Sequence, residues 1–187
     1  MIKLRTKLLL IILLIGCLPV YTQEKISFFE EHIDFELDSV YFSINGIYSF
    51  HNPTDKTVNQ RIVFPFAMET EKIDSINIIH LNNLSRIQFK RLKKAITFVV
   101  NMPPRDTVDV NISYRQKTAE KNTYIITSTQ SWKQALQKAV YTLTTSLPVD
   151  EENFSYPFIS KKIINDKTLY YWEKTNFMPD KEFNVMK

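Results

Sequence analysis

Imidazole is the side chain that titrates near neutral pH, so the histidines are the first residues to test for chemistry. The chain has three, His32, His51 and His80, on separate predicted elements and in no H-x-x-x-H or comparable ligand spacing. His51 stands four residues before Asp55 in one turn, where an imidazole beside a carboxylate could act as a general base. An ordinary turn in which Asn52 and Asp55 cap backbone amides explains the same residues and is the favoured reading. His80 beside Asn82 and Asn83 is an equally weak signal. Glu24, Glu30, Glu31, Asp34, Glu36 and Asp38 form an acidic run that could ligate calcium, but a solvated or edge strand face that resists aggregation accounts for it more simply. No catalytic residue, metal ligand or cofactor is assigned.

Composition removes several enzyme classes. Glycine occurs twice, at Gly16 and Gly46, so glycine-rich phosphate loops, dinucleotide fingerprints and nucleophile elbows have nothing to be built from. Without a glycine-supported turn, none of the abundant serines and threonines reads as an activated nucleophile. Cys17 is the only cysteine, which leaves the remainder of the chain without disulfides, thiolate chemistry or cysteine metal sites.

The first residues, Met1 to Lys7, are cationic, and Leu8 to Ile15 are apolar without interruption until Gly16, Cys17 and Pro19. A bilayer-spanning helix needs about 20 apolar residues, so the segment reads as a bacterial-type export signal. Leu14-Ile15-Gly16-Cys17 resembles a lipobox, which would lipidate Cys17. A cut after Thr22, with Val20 and Thr22 in the small-residue positions, is preferred because Leu18 to Tyr21 would make an unusually apolar lipoprotein tether. Removing Lys3, Arg5 and Lys7 lowers the formal charge from +4 to +1, with 21 basic residues against 20 acidic, which argues against nucleic acid as a partner. The expected organisation is a signal peptide over residues 1–22, a β-sandwich over 23–147 and an aromatic-rich extension over 148–187 packed on the same domain.

Alternation of apolar and polar residues predicts strands along most of this length. Ile33, Phe35 and Leu37 alternate with His32, Asp34 and Glu36. Phe42, Ile44, Gly46, Tyr48 and Phe50 share one face, and Val58, Gln60, Ile62, Phe64 and Phe66 repeat the pattern after a turn at residues 51–56, so the two are expected to pair as a hairpin. Pro65 ends its strand or places it at an edge. Residues 73–81 form a further strand. The run from Arg86 to Val100 reads as a hairpin with a basic tip at Lys90 to Lys94, in preference to a helix, because Ile96 to Val100 are β-branched or aromatic. Val108, Val110, Ile112 and Tyr114 point inward from the clearest strand. Residues 123–129 form another strand, Ser131 to Lys138 a short helical step, residues 139–147 a strand, and residues 163–172 a last hairpin turning at Asn165-Asp166. Met178 to Lys187 is expected to fray. The fold class is therefore all-β, an antiparallel sandwich.

Asn52-Pro53-Thr54-Asp55-Lys56-Thr57-Val58 leading to Val63-Phe64-Pro65-Phe66, with Met102-Pro103-Pro104 before Val108 to Gln116, resembles exported bacterial β-sandwich domains of unknown function and, more distantly, the vault and inter-alpha-trypsin-inhibitor type β-domain. Tyr124 to Thr129, then Trp132, Ala135-Leu136 and Tyr141, is similar to the second half of the same exported group. The resemblance implies a β-sandwich outside the cytoplasm and supplies no catalytic residue.

These readings converge on an exported, periplasmic or cell-surface bacterial protein that binds or scaffolds without catalysis. Its partner would be an envelope protein or glycan, met through the aromatic cluster Tyr170, Tyr171 and Trp172; core closure by the same residues is the simpler account. Contact with membrane would come only through the leader or a lipidated Cys17. The alternatives are a hydrolase of envelope polymers or peptides using His51 and Asp55 or His80, and an anionic-membrane binder using Lys90 to Lys94. Mass spectrometry of the exported protein should find Gln23 as its first residue; a diacylglyceryl Cys17 at that position would reverse the preferred cleavage.

Overall fold

The computed structural model describes residues 25–187, so the expected leader and Cys17 lie outside it. Strands dominate: β1 (Ser27–Leu37), β2 (Tyr41–His51), β3 (Val58–Pro65), β4 (Ile73–His80), β5 (Ser85–Arg86), β6 (Phe89–Arg91), β7 (Ala95–Met102), β8 (Thr107–Lys117), β9 (Lys121–Tyr124), β10 (Leu136–Thr145), β11 (Ser160–Ile164), β12 (Lys167–Phe177) and β13 (Phe183–Met186). The all-β sandwich expectation holds. An eight-stranded sheet runs in the order β11-β12-β10-β1-β2-β8-β4-β5, beside a three-stranded sheet β3-β7-β6 and a two-stranded sheet β13-β9. Among the described residues no helix is long and apolar enough to cross a membrane.

The two small sheets cover one face of the large one. Phe64 of β3 meets Tyr48 of β2 at 5.5 Å and Tyr114 of β8 at 6.1 Å between ring centroids, joining the three-stranded sheet to the β2–β8 half. Phe183 of β13 lies 4.7 Å from Phe35 of β1 and 5.1 Å from Trp172 of β12, joining the two-stranded sheet to the other half. Such aromatic pairs each add about 0.5–1.5 kcal/mol beyond the area they bury. The alternation behind these contacts is the one read from sequence: Ile33, Phe35 and Leu37 are buried, and so are Phe42, Ile44, Tyr48 and Phe50, then Val108, Val110, Ile112 and Tyr114.

Four expectations are corrected by pairing. β2 and β3 do not form a hairpin; β2 pairs with β1 and β8, whereas β3 pairs with β7. Their apolar faces oppose one another across the core instead of lying side by side, and the turn at 51–56 carries the chain from one layer to the next. β1 is central, not an edge: β10 lies parallel to it on one side and β2 antiparallel on the other. Its outward acids are partnered, Asp34 accepting from Thr142 at 2.7 Å and Glu36 from Lys167 at 2.7 Å. Residues after Tyr124 leave the strand for a short 3₁₀ helix at Thr127–Trp132, displaced from the helical step expected at 131–138, whose last three residues belong to β10. The tail does not fray, since Phe183 and Val185 are buried and β13 pairs with β9. The hairpin of β6 and β7 forms as expected, with Phe89 opposite Phe98.

Asn52 fastens the crossing between layers. It is fully buried, and its side-chain amide donates to the carbonyls of Lys56 at 2.8 Å, Pro103 at 2.8 Å and Met102 at 3.1 Å, while its oxygen accepts from the Thr54 amide at 3.0 Å. The turn after β2 is thereby tied to the connection between β7 and β8. Leaving buried carbonyls unpaired costs roughly 1–3 kcal/mol each, so Asn52→Ala should lower stability by about 3 kcal/mol. Urea unfolding should show a reduced midpoint with an unchanged slope; a midpoint within error of the parent would refute this role.

Candidate functional site

A cavity of about 320 Å³ opens where the two small sheets fail to meet. One wall is β3, from Gln60 to Pro65; the other is Tyr124 and the 3₁₀ segment up to Trp132; the floor is the large sheet at Phe28, Glu31, Tyr48, Phe50 and Ile112. Arg61 and Ser131, both exposed, stand on opposite sides of its mouth.

The floor depends on an irregularity in β1. Phe28 pairs with Phe50, but the register shifts before Glu30, which pairs with Ser49. The extra residue, Phe29, resets the pleat, so Phe28 and Glu31 both face inward although three positions separate them. Glu31 is 3% exposed and sits opposite Tyr48 in the β1–β2 register. Its Oε1 accepts a hydrogen bond from the Tyr141 hydroxyl. Among the described residues no lysine or arginine is ion-paired with it. Burial pushes its carboxyl up to about 7, against the opposing pull of the Tyr141 hydrogen bond.

Gly46 makes room for the adjoining hydroxyl. A Cβ at that position would lie 2.5 Å from the Tyr48 hydroxyl oxygen and 2.7 Å from Ile33, so only glycine lets the Tyr48 ring fold back along its own strand. The Tyr48 and Tyr124 hydroxyls lie 2.6 Å apart. Burial raises both phenols well above their usual range, and Glu31's charge adds to the effect in each. An aromatic wall follows: Phe28 lies 5.2 Å from Phe50 and 6.0 Å from Trp132, and Phe50 lies 5.6 Å from Trp132. The tail holds Trp132's segment in place, because Glu182 accepts from the amides of Ile126 at 2.8 Å and Thr127 at 3.1 Å and from the Thr127 hydroxyl at 2.5 Å.

The aromatic cluster nominated from sequence is elsewhere. Tyr170 and Trp172 are buried in the core, where Trp172 donates to the Tyr156 carbonyl at 2.9 Å; Tyr171 faces the other way, half-buried, and donates to Glu173. His51 and Asp55 do not form a pair: His51 meets the Thr107 hydroxyl at 3.4 Å, and Asp55 is bound by Arg105 at 2.8 Å. His80 lies on β4, in a separate depression with Asn82. Among the described residues no three potential metal ligands come together. Glu31 was within reach of sequence reasoning, because the Ile33, Phe35, Leu37 alternation extended one step back lands on it. The acidic run hid that inward position.

No family model and no curated protein matches the chain. Solved structures do. A "putative nutrient binding protein" from Legionella pneumophila superposes with a TM-score of 0.74 over 87% of this chain and 67% of its own, at 13% identity. A substrate-bound M1 zinc metallopeptidase from Deinococcus radiodurans matches at a TM-score of 0.52 and 10% identity over 88% of this chain. Native yeast LTA4 hydrolase matches at 0.51 and 11% over 92%. The chain spans 43% of that metallopeptidase and 32% of the hydrolase. The superpositions establish a shared fold, and at identities this low they show the fold alone.

Glu31 makes stability pH-dependent with a definite sign. Below pH 4.5 the carboxyl is protonated in folded and unfolded chains alike; between 4.5 and about 7 only the unfolded chain loses its proton, so stability falls as pH rises. Glu31→Gln, which keeps an acceptor for Tyr141, should stabilise the protein by about 3 kcal/mol at pH 8 and leave it unchanged at pH 4. Thermal unfolding across that range checks this; equal shifts at both ends would show that Glu31 is not the titrating group.

Proposed function

We propose that this protein is an exported, non-enzymatic binding module of the bacterial cell envelope, and that its ligand is a small molecule held in the cavity beside Glu31. The carrying observation is that aromatic-walled cavity, with a buried, ionisable carboxyl on its floor. A volume near 320 Å³ suits a compact ligand. Convergent polar groups in an apolar enclosure fix a ligand's orientation, and here they are Glu31, Tyr48 and Tyr124. The Legionella structure's description as nutrient binding supports this reading over scaffolding. Export rests on the cationic and apolar residues that open the sequence. The separation of His51 from Asp55 favours binding over hydrolysis.

A thermal-shift screen of amines, amino acids, short sugars and carboxylic acids should find a compound that stabilises the parent protein and is recovered unaltered. Ser128→Phe, which fills the cavity from its wall, should abolish that shift. Stabilisation that survives Ser128→Phe would place the site elsewhere, and turnover of the bound compound would make the protein an enzyme.

A further inference from the structure

We propose that the cavity is selective for small organic cations, seating an ammonium group against Glu31 with the aromatic wall around it. This rests on the cavity being the ligand site and goes on to name the ligand's chemistry. A carboxyl 3% exposed, with no basic side chain paired to it among the described residues, lacks the counter-charge that a buried anion requires. The Tyr141 hydroxyl satisfies Oε1 but brings no charge. The surrounding rings supply the rest of a cation site. Phe28, Phe50 and Trp132 are in mutual contact at 5.2 to 6.0 Å, Tyr48 lies 6.1 Å from Phe28, and all four line the cavity. Ring faces attract ammonium groups, most strongly where water is excluded.

Replacing Glu31 by a neutral residue would relieve the fold of the cost of burying an ionisable acid at neutral pH, so the fold alone gives no reason for an acid there. A ligand cation does. The groups facing Glu31 are Tyr141 from β10, Tyr48 from β2 and Tyr124 from β9, all neutral phenols near pH 7, with Arg61 at the exposed mouth. A carboxyl that holds its proton in the empty cavity must release it when an ammonium ion arrives. The ligand enters as the cation, Glu31 ionises, and one proton passes to solvent.

The test is calorimetric titration of the exported protein with phenethylammonium and choline chlorides, using 2-phenylethanol as the neutral counterpart of the first. At least one cation should bind, at least tenfold more tightly than the alcohol, and Ser128→Phe should abolish that binding. Below about pH 7 its affinity should rise about tenfold per pH unit and then level off. Titrations in buffers of differing ionisation enthalpy should register proton release at pH 6. Glu31→Gln should remove the preference for cations. Because the proton release is read on the parent protein, the proposal stays testable if that variant does not fold. Binding of the alcohol as tight as that of the better-bound cation, or cation binding without proton release, overturns it. If sugars or acids bind in a manner blocked by Ser128→Phe while neither cation does, the selectivity is wrong and the cavity remains the site. If nothing binds, both fail.

Discussion

The structure depends on β1 being paired along both edges. Eleven residues long, it lies between antiparallel β2 and parallel β10, and its register against each fixes what stands on the inner floor. A strand held on both sides cannot slip by one residue without turning its whole apolar set outward. Ile33, Phe35 and Leu37 therefore lock Glu31 inward beside them. The shift after Phe28 adds Phe28 to the same face, so one irregularity furnishes both the acid and the first ring of the aromatic wall.

From that floor the cavity follows as a consequence of covering a wide sheet with two narrow ones. Eight strands present more apolar surface than three can cover, and β9 with β13 covers what β3, β7 and β6 do not. The seam between them is bridged by side chains, with the Tyr48–Tyr124 hydroxyl pair linking β2 to β9 beneath it. Gly46 permits that bridge by leaving its face of the strand empty. Glu182 closes the far side by fixing the start of the 3₁₀ segment that carries Trp132. Residues far apart in sequence thus enclose one small volume.

Energetically, the site works against the fold that contains it. Tyrosine hydroxyls can be buried at little cost when they pair with each other, as Tyr48 and Tyr124 do. A carboxyl cannot, and its raised titration point measures the penalty that the surrounding core must offset. Groups held at such a cost concentrate where a protein binds or reacts. The aromatic residues of β12 show the contrast: Tyr170 and Trp172 are as bulky as the side chains around Glu31, yet they serve closure of the core.

The sequence by itself determined the strands and their inner faces. Alternation is a local property, and residues 25–187, with one glycine and no cysteine, have little to build on except packed apolar faces. It also marked the turns at Asn52-Pro53 and Asn165-Asp166, since their backbone requirements lie within a few residues; Asn165 and Asp166 both adopt positive φ. Beyond the local hairpins of β6 with β7 and β11 with β12, only the tertiary structure decided which strands pair. Two alternating strands joined by a turn look the same whether they lie side by side or face each other across a core, so β2 and β3 read as a hairpin. The tail read as frayed because the partner of β13, β9, lies some sixty positions earlier. The site was hidden for the same reason: Glu31 is one acid among several until β10 and β9 bring Tyr141 and Tyr124 around it, and long-range pairing leaves no periodic trace in the residues that it joins.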